Sequence, residues 1–172
     1  GIAAHSLAAL DIVEELRARS PAAQPNLASP RLRNAFISGA LCPDMGYYPR
    51  ADTLLTDLAH YEQSVTLART LLLSADTDTE KAFALGWGSH LLVDVAMHPA
   101  INHAAAEVMT GDARRSLNYV ENPACHVRVE VGLDAWLWAS DPRLATLKLE
   151  PAFTMETIGY LVNAYDAVYG IR

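Results

Sequence analysis

The sequence lacks long apolar runs, clustered basic residues and a framework of cysteines, and each absence excludes a class of protein. No run of about 18 uncharged apolar residues occurs, so no transmembrane helix is predicted. The formal net charge is −7, which disfavours binding of nucleic acid through phosphate contacts, because those contacts need clustered Lys and Arg. Two cysteines are too few for a disulfide-dense secreted scaffold.

The N-terminal segment, GIAAHSLAALDIVEELRARS, carries acids within an apolar pattern and has no basic leader. This composition argues against an uncleaved signal peptide. We therefore expect a soluble protein that is cytoplasmic, or secreted after removal of a signal not present here.

The apolar residues recur with helical spacing, and there is almost none of the period-two alternation that indicates strands. At 172 residues the chain is most simply one domain, 1–172, that buries about 70% of the surface of its unfolded form. We expect an all-α, compact multi-helix domain. The predicted helices cover residues 4–19, 31–41, 53–75, 79–98, 100–109, 113–121, 124–139 and 152–169.

Local signals mark some of these helices. Thr77 and Glu80 have the spacing of a capping box and predict a helix start. The Asp141-Pro142 pair should end the helix at 124–139. Gly86 and Gly88 fall inside a helix, where each costs up to about 1 kcal/mol relative to Ala, and close helix packing is the expected reason for both.

The few histidines lie near carboxylates at helical spacing. There are six, at positions 5, 60, 90, 98, 103 and 126. His90 precedes Asp94 by four residues, as His126 precedes Glu130, so each pair shares one helix face and lies within about 6 Å along the axis. Imidazole and carboxylate groups on an apolar face are costly to bury unless something binds them, and a divalent cation does so. The pattern predicts a metal site between helices.

His98 lies about 12 Å along the axis from His90 if the helix persists, too far to share an ion. We therefore expect it to serve a second metal. Because the residue before a proline is disfavoured in helical geometry, Pro99 predicts that His98 sits at a helix end and turns inward. His126 and Glu130, on another helix, are its natural partners.

Other ligand-type residues are scattered along the chain. His5 lies in the first turn of the first helix, Asp44 in a Pro-Asp loop and His60 within the third helix. A lone histidine on an apolar helix is more often a hydrogen-bonded core residue than a ligand, so these residues count as an ensemble. Cys42 and Cys125 lie beside candidate ligands; buried free thiols are the favoured interpretation, with a disulfide or a sulfur ligand as alternatives.

The order of these residues resembles that of the zinc-dependent phospholipase C family, whose relatives include the clostridial alpha-toxin type and the single-strand-specific fungal nucleases. HxxxD and HxxxE are weak patterns individually. Eight ligand-type residues in matching order over most of the chain make a fairly specific signal: His5, Asp44, His60, His90, Asp94, His98, His126 and Glu130.

The resemblance implies a cluster of two to three zinc ions. Asp44, His60, His90 and Asp94 would hold the first, and Asp44 would also orient or deprotonate the attacking water. Zinc would lower the pKa of its bound water to roughly 7, and that water would attack phosphorus.

The second zinc would be held by His98, His126 and Glu130. The third would be held by His5, by Asp94 acting as a bridge, and by the N-terminal amino and carbonyl groups. Asp134 follows Glu130 by one helical step on the predicted helix. At most it would support a metal ligand without binding the metal itself, and an N-cap partner or a solvated acid is the favoured interpretation.

The sequence departs from the family pattern at several points. It starts Gly-Ile-Ala-Ala, where the family begins its mature chain with a Trp whose amine is a ligand. Three residues separate Asp94 from His98, whereas the better-known members have five in this interval. Since His98-Pro-Ala-Ile-Asn still resembles the family's His-Pro-Ala-Asn stretch, His98 is the favoured ligand and His103 the fallback. The toxin's C-terminal membrane-binding β-sandwich has no counterpart here, so attack on lipid bilayers is not implied.

The resemblance implies a metal-dependent phosphoric diester hydrolase that cuts a phospholipid or a small soluble phosphodiester. Tyr47 and Tyr48, in the loop after Asp44, are candidates for contacting a quaternary-ammonium head group by cation–π attraction. A nuclease-like phosphohydrolase ranks lower because no basic strip is present and no stable nucleic-acid binding is expected. A non-catalytic metal-binding all-α protein is a third hypothesis, and open coordination positions would separate it from the enzymes.

Overall fold

The computed structural model describes residues 1–19, 25–48, 50–147 and 154–171, and within these ranges it contains helices and turns but no strand. The predicted all-α class is confirmed. None of the described helices is long and apolar enough to cross a membrane. The elements are α1 (Ile2–Arg19), α2 (Pro30–Leu41), a 3-10 helix (Cys42–Tyr47), α3 (Leu54–Tyr61), α4 (Ser64–Ser74), α5 (Asp78–Thr110), α6 (Pro123–Ser140), α7 (Pro142–Thr146) and α8 (Met155–Tyr169).

The long helix α5 contributes to both apolar clusters of the core. In one cluster Ala82 of α5 joins residues of α1, α2 and α7, such as Leu10 and Phe36. In the other, Phe83 and Trp87 of α5 join residues of α3, α4 and α8. Because neighbours pack against it on both sides, α5 is held as a fixed frame for the side chains that it carries.

Helices α2 and α5 approach each other closely at a pair of glycines. A Cβ atom on Gly39 would overlap the carbonyl oxygen of Phe83, and one on Gly86 would overlap the carbonyl oxygen of Phe36. Only a residue without a Cβ allows this contact. The expected close packing is confirmed for Gly86, whereas a Cβ on Gly88 would meet nothing within 4 Å, so that explanation was wrong for Gly88.

The helix predicted over 53–75 is divided into α3 and α4. Gln63 adopts the left-handed conformation, with φ of 51°, which interrupts the right-handed helical hydrogen bonds. The chain therefore turns after Tyr61, and His60 lies in the last turn of α3.

The predicted helix end at His98 was wrong, because α5 continues through Pro99 to Thr110. Proline removes one N–H, which would otherwise bond to the carbonyl four residues earlier, that of Val95. Val95 is 76% exposed, and Pro99 is exposed as well. Water can therefore bond to the freed carbonyl on this side of the helix. The segments predicted at 79–98 and 100–109 are one helix.

Residues 113–121, predicted as a helix, form turns. Asp112 accepts a hydrogen bond from the backbone nitrogen of Arg114 at 3.0 Å, and Asn118 accepts one from that of Glu121 at 3.0 Å. Such bonds from side chains to nearby backbone offer an alternative to the helix.

Several predicted helix ends are confirmed. Thr77 and Glu80 form the capping box at the start of α5. Helix α6 ends at Ser140, as the following Asp-Pro pair predicts. The predicted start of the last helix at 152 lies outside the described residues, and α8 begins at Met155.

We predict opposite effects for alanine at two neighbouring glycines of α5. Gly86→Ala should lower the free energy of unfolding by about 1–3 kcal/mol, because its Cβ would push α2 away. Gly88→Ala meets open space and should leave stability unchanged or raise it by up to about 1 kcal/mol. Urea denaturation measures both, and equal effects would contradict the close approach of α2 and α5.

Candidate metal centre

The structure brings together all eight predicted ligand residues, although they come from five separate elements. Histidine nitrogens and carboxylate oxygens form three groups in which the ligand atoms lie within 4.8 Å of one another. We name them the His5 group, the Asp44 group and the Glu130 group. Their members are His5, His90 and Asp94; Asp44, His60 and His90; and His98, His126 and Glu130.

The carboxylate of Asp94 lies at the centre of the cluster. Its Oδ1 is 3.1 Å from Nε2 of His5 and 3.7 Å from Nε2 of His98. Its Oδ2 is 3.2 Å from Nε2 of His90 and 3.6 Å from Nε2 of His60. Ligands held tetrahedrally at about 2.1 Å from a zinc ion lie about 3.4 Å from one another. These separations therefore suit ligand atoms around shared cations.

The α5 residues of the cluster follow one helix face. His90, Asp94 and His98 are each four residues apart, and the continuous helix keeps all three side chains in one direction. His98 also reaches Glu130 of α6, with 3.6 Å between Nε2 and Oε1. The fallback residue His103 instead places Nδ1 2.7 Å from the carbonyl oxygen of Arg115, outside the three groups.

Two backbone carbonyls determine where His60 and His90 carry their protons. Nδ1 of His60 lies 2.8 Å from the carbonyl oxygen of Thr56, and Nδ1 of His90 lies 2.8 Å from that of Ala40. A carbonyl only accepts, so Nδ1 donates in both rings, and in the neutral ring Nε2 carries a lone pair. The two Nε2 atoms are 3.0 Å apart. Lone pairs at this distance repel unless a proton or a cation lies between them, so these residues fit a metal ion.

The carboxylates of the cluster are ionised. Burial tends to raise the pKa of Asp94, but the imidazoles of His5 and His90 beside its two oxygens outweigh burial and hold that pKa well below its usual range. The pKa of Glu130 is likewise lowered, because the hydrogen bonds from the two histidines of its group outweigh burial. Both side chains therefore offer negative oxygens to a cation at neutral pH.

The histidines differ in how readily they bind a proton. Burial lowers the pKa of His5. Burial acts in the same direction on His60, but hydrogen bonds to Asp44 and to a backbone carbonyl raise its pKa. The hydrogen bond to Glu130 raises the pKa of His98. A metal binds the deprotonated imidazole, so the raised pKa values of His60 and His98 let protons compete with it more strongly, and its affinity should fall as the pH is lowered.

Residue 1 lies against the same cluster. Its backbone nitrogen is 3.6 Å from Oε2 of Glu130 and 3.9 Å from Oδ2 of Asp44. His5, which the resemblance assigns to a third zinc, stacks on His90 with ring centroids 3.9 Å apart. The residues assigned to the third zinc therefore lie directly beside those assigned to the first zinc.

A cleft of about 400 Å³ opens above the cluster, and its described lining includes no Lys or Arg. Tyr47 and Tyr48, the predicted substrate contacts, line it together with Tyr61 and Tyr119. The rings of Tyr61 and Tyr119 stack with centroids 5.6 Å apart, and Tyr119 meets the ring of His126 edge-on. The cleft therefore combines acidic and imidazole groups with aromatic faces.

Tyr119 and Thr56 were missed by sequence reasoning. Tyr119 lies in the segment that was predicted as a helix, and the stretch contains no ligand spacing that would single it out. The backbone carbonyl of Thr56 accepts from Nδ1 of His60. Its hydroxyl also accepts a hydrogen bond from the backbone nitrogen of Gly46 at 2.7 Å. That bond ties the 3-10 helix bearing Asp44 to α3.

The two cysteines are buried free thiols, as the favoured interpretation had it. Burial raises the pKa of Cys42 to about 12, so that thiol stays protonated at neutral pH. Neither cysteine belongs to the groups found among the described residues.

Comparison with known proteins agrees with this geometry. The sequence profile of zinc-dependent phospholipase C matches residues 3–166, and the chain belongs to that family. The family is described as zinc-dependent, and the three groups of ligand atoms are compatible with zinc. A stretch of 75 residues is 35% identical to an uncharacterized protein of Archaeoglobus fulgidus and covers 40% of this chain and 23% of that protein. The match thus spans about a quarter of that relative's length. No solved structure matches the chain.

We predict that His98→Ala lowers the metal content of the protein whereas His103→Ala does not. The two histidines lie on the same helix, but only His98 reaches the Glu130 group. Elemental mass spectrometry on protein purified without chelator or immobilised metal gives the stoichiometry. Loss of metal in the His103 variant alone would show that the fallback assignment is right.

Proposed function

We propose that residues 1–172 form one zinc-dependent phosphoric diester hydrolase domain in which the eight clustered residues are the metal ligands. The observation that carries the proposal is the 3.0 Å separation of the His60 and His90 Nε2 atoms. Both rings donate through Nδ1 to carbonyls, so their remaining nitrogens face each other as lone pairs. Ionised carboxylates surround them, and a dication is the species that satisfies both kinds of group.

The ligand sets follow from the number of lone pairs available. One Nε2 atom binds one metal, so His90 can serve the Asp44 group or the His5 group, but not both. Asp94 has two oxygens and can bridge. We assign Asp44, His60, His90 and Asp94 to one zinc, and His98, His126 and Glu130 to a second. His5, with the second oxygen of Asp94, would hold a third, which gives two to three ions.

Asp44 has the position and charge of a general base. It lies on the 3-10 helix, lines the cleft and is 15% exposed. Burial tends to raise its pKa, but the imidazole of His60, whose Nε2 lies 3.2 Å from Oδ1, outweighs burial and keeps the pKa below the usual value. Zinc, when bound, supplies an acidified water and neutralises phosphoryl charge. Asp44 would orient that water and accept its proton.

The lining of the cleft favours a substrate with one phosphodiester and an uncharged or cationic remainder. No Lys or Arg among the described lining residues can hold a second phosphate. Tyr47 and Tyr48 are partly exposed, at 39% and 36%, and would form an aromatic wall for a quaternary ammonium group. A phospholipid head or a small soluble phosphodiester meets these conditions.

The open cleft favours an enzyme over the non-catalytic alternative. A structural zinc site is closed by four protein ligands, whereas a catalytic site keeps a position for water or substrate. Here about 400 Å³ of space reaches Asp44, His60, His98 and Glu130. The nuclease alternative draws support from the stacked Tyr61–Tyr119 pair, since aromatic faces also stack on bases.

We predict that the zinc-loaded protein hydrolyses p-nitrophenyl phosphorylcholine and that chelation abolishes the reaction. Asp44→Asn should lower kcat by about 10²–10⁴-fold, the usual contribution of a general base. His103→Ala, outside the cluster, is the matched control and should retain full activity.

Two outcomes would count against this function. Failure of the zinc-loaded protein to cleave the choline ester while it cleaves a single-stranded oligonucleotide would favour the nuclease. Full zinc occupancy without hydrolysis of either substrate would favour the non-catalytic metal-binding protein.

A further inference from the structure

Asp134 caps a helix that is distant in sequence. Its Oδ1 accepts hydrogen bonds from the backbone nitrogens of Ala3, at 3.1 Å, and Ala4, at 3.3 Å. The first N–H groups of a helix have no partner within it. Helix α1 has no acidic residue in its first turn, so a carboxylate on α6 supplies the acceptor. Of the two interpretations favoured from sequence, an N-cap partner or a solvated acid, the structure bears out the N-cap partner, for a helix that the sequence did not indicate.

The capping bonds connect two helices that carry different parts of the metal cluster. On α6, Asp134 lies one turn beyond Glu130 and two turns beyond His126. On α1, His5 follows the capped residues Ala3 and Ala4 directly. One carboxylate therefore fixes the first turn of α1 against the helix that bears the Glu130 group.

His5 has no anchor of its own comparable to those of His60 and His90. Nδ1 of each of those rings is held by a backbone carbonyl. Nδ1 of His5 is buried and has no hydrogen-bond partner among the described residues. The ring is 3% exposed, and its Nε2 must stay 3.1 Å from Asp94. The position of His5 thus depends on the position of the α1 backbone.

We propose that Asp134 is a positioning residue for the metal cluster. By holding the first turn of α1 on α6, it sets the distance from His5 to Asp94 and so completes the His5 group. The inference rests on the proposed function, because it assumes that His5 is a zinc ligand. Partners that orient metal ligands typically contribute about 10–100-fold to metal affinity.

The test is zinc titration of purified, metal-free protein against a competing chelator. Asp134→Ala removes the acceptor, whereas Asp134→Asn keeps an oxygen that can accept the same two backbone bonds. Asp141→Ala is the matched control, because Asp141 accepts from the backbone nitrogen of Arg143 at the start of α7, away from the cluster. His5→Ala gives the effect of losing the ligand itself.

We expect Asp134→Ala to weaken the zinc step lost in His5→Ala by about 10–100-fold, with the other steps unchanged. Asp134→Asn should bind nearly as the wild type does, and Asp141→Ala should lose stability without losing zinc affinity. Wild-type zinc affinity in Asp134→Ala would overturn the inference, as would an Asp134→Asn variant that binds as weakly as Asp134→Ala. A wild type that binds no zinc would instead refute the proposed function.

Hydrogen exchange provides a test in the wild-type chain if Asp134→Ala fails to fold. Binding of zinc by His5 should increase the protection of the Ala3 and Ala4 amides, because the hydrogen bonds to Asp134 and the metal stabilise the same turn of α1. Unchanged protection of these two amides on zinc saturation would overturn the inference.

Discussion

Two backbone carbonyls, those of Ala40 and Thr56, set the chemistry on which the cluster depends. Each holds an imidazole by Nδ1 and leaves Nε2 as the coordinating nitrogen. The Thr56 bond is local to α3. The Ala40 bond crosses from α2 to α5 and is possible because Gly39 and Gly86 bring those helices into backbone contact. The close contact of α2 with α5 therefore both packs the core and orients the His90 ligand.

With dications bound as proposed, this acidic chain would have a centre that attracts an anion. The protein has a formal net charge of −7, and its cluster adds ionised carboxylates at the base of the cleft. Dications held there would reverse the local sign and supply the attraction for phosphate that the described lining, without Lys or Arg, does not provide. In the proposed function, binding of metal and binding of substrate would be coupled through this charge.

Sequence predicted the parts of the site that depend on local spacing. His90 and Asp94, like His126 and Glu130, follow from one helical turn, and their order along the chain identified the family. Contacts between residues distant in sequence could not be predicted from the sequence. The Ala40 carbonyl that orients His90 comes from 50 residues away, and Asp134 caps a helix 130 residues earlier.

Local signals also failed where the surroundings decide the outcome. At Pro99 the helix continues because the hydrogen bond that proline removes lies on an exposed helix face.

The most direct test of the metal centre is an anomalous difference map at the zinc absorption edge, from crystals grown with zinc. A peak about 2.0–2.1 Å from Nε2 of both His60 and His90 is the predicted result. A zinc-saturated crystal without a peak between these two nitrogens would contradict the assignment of the cluster.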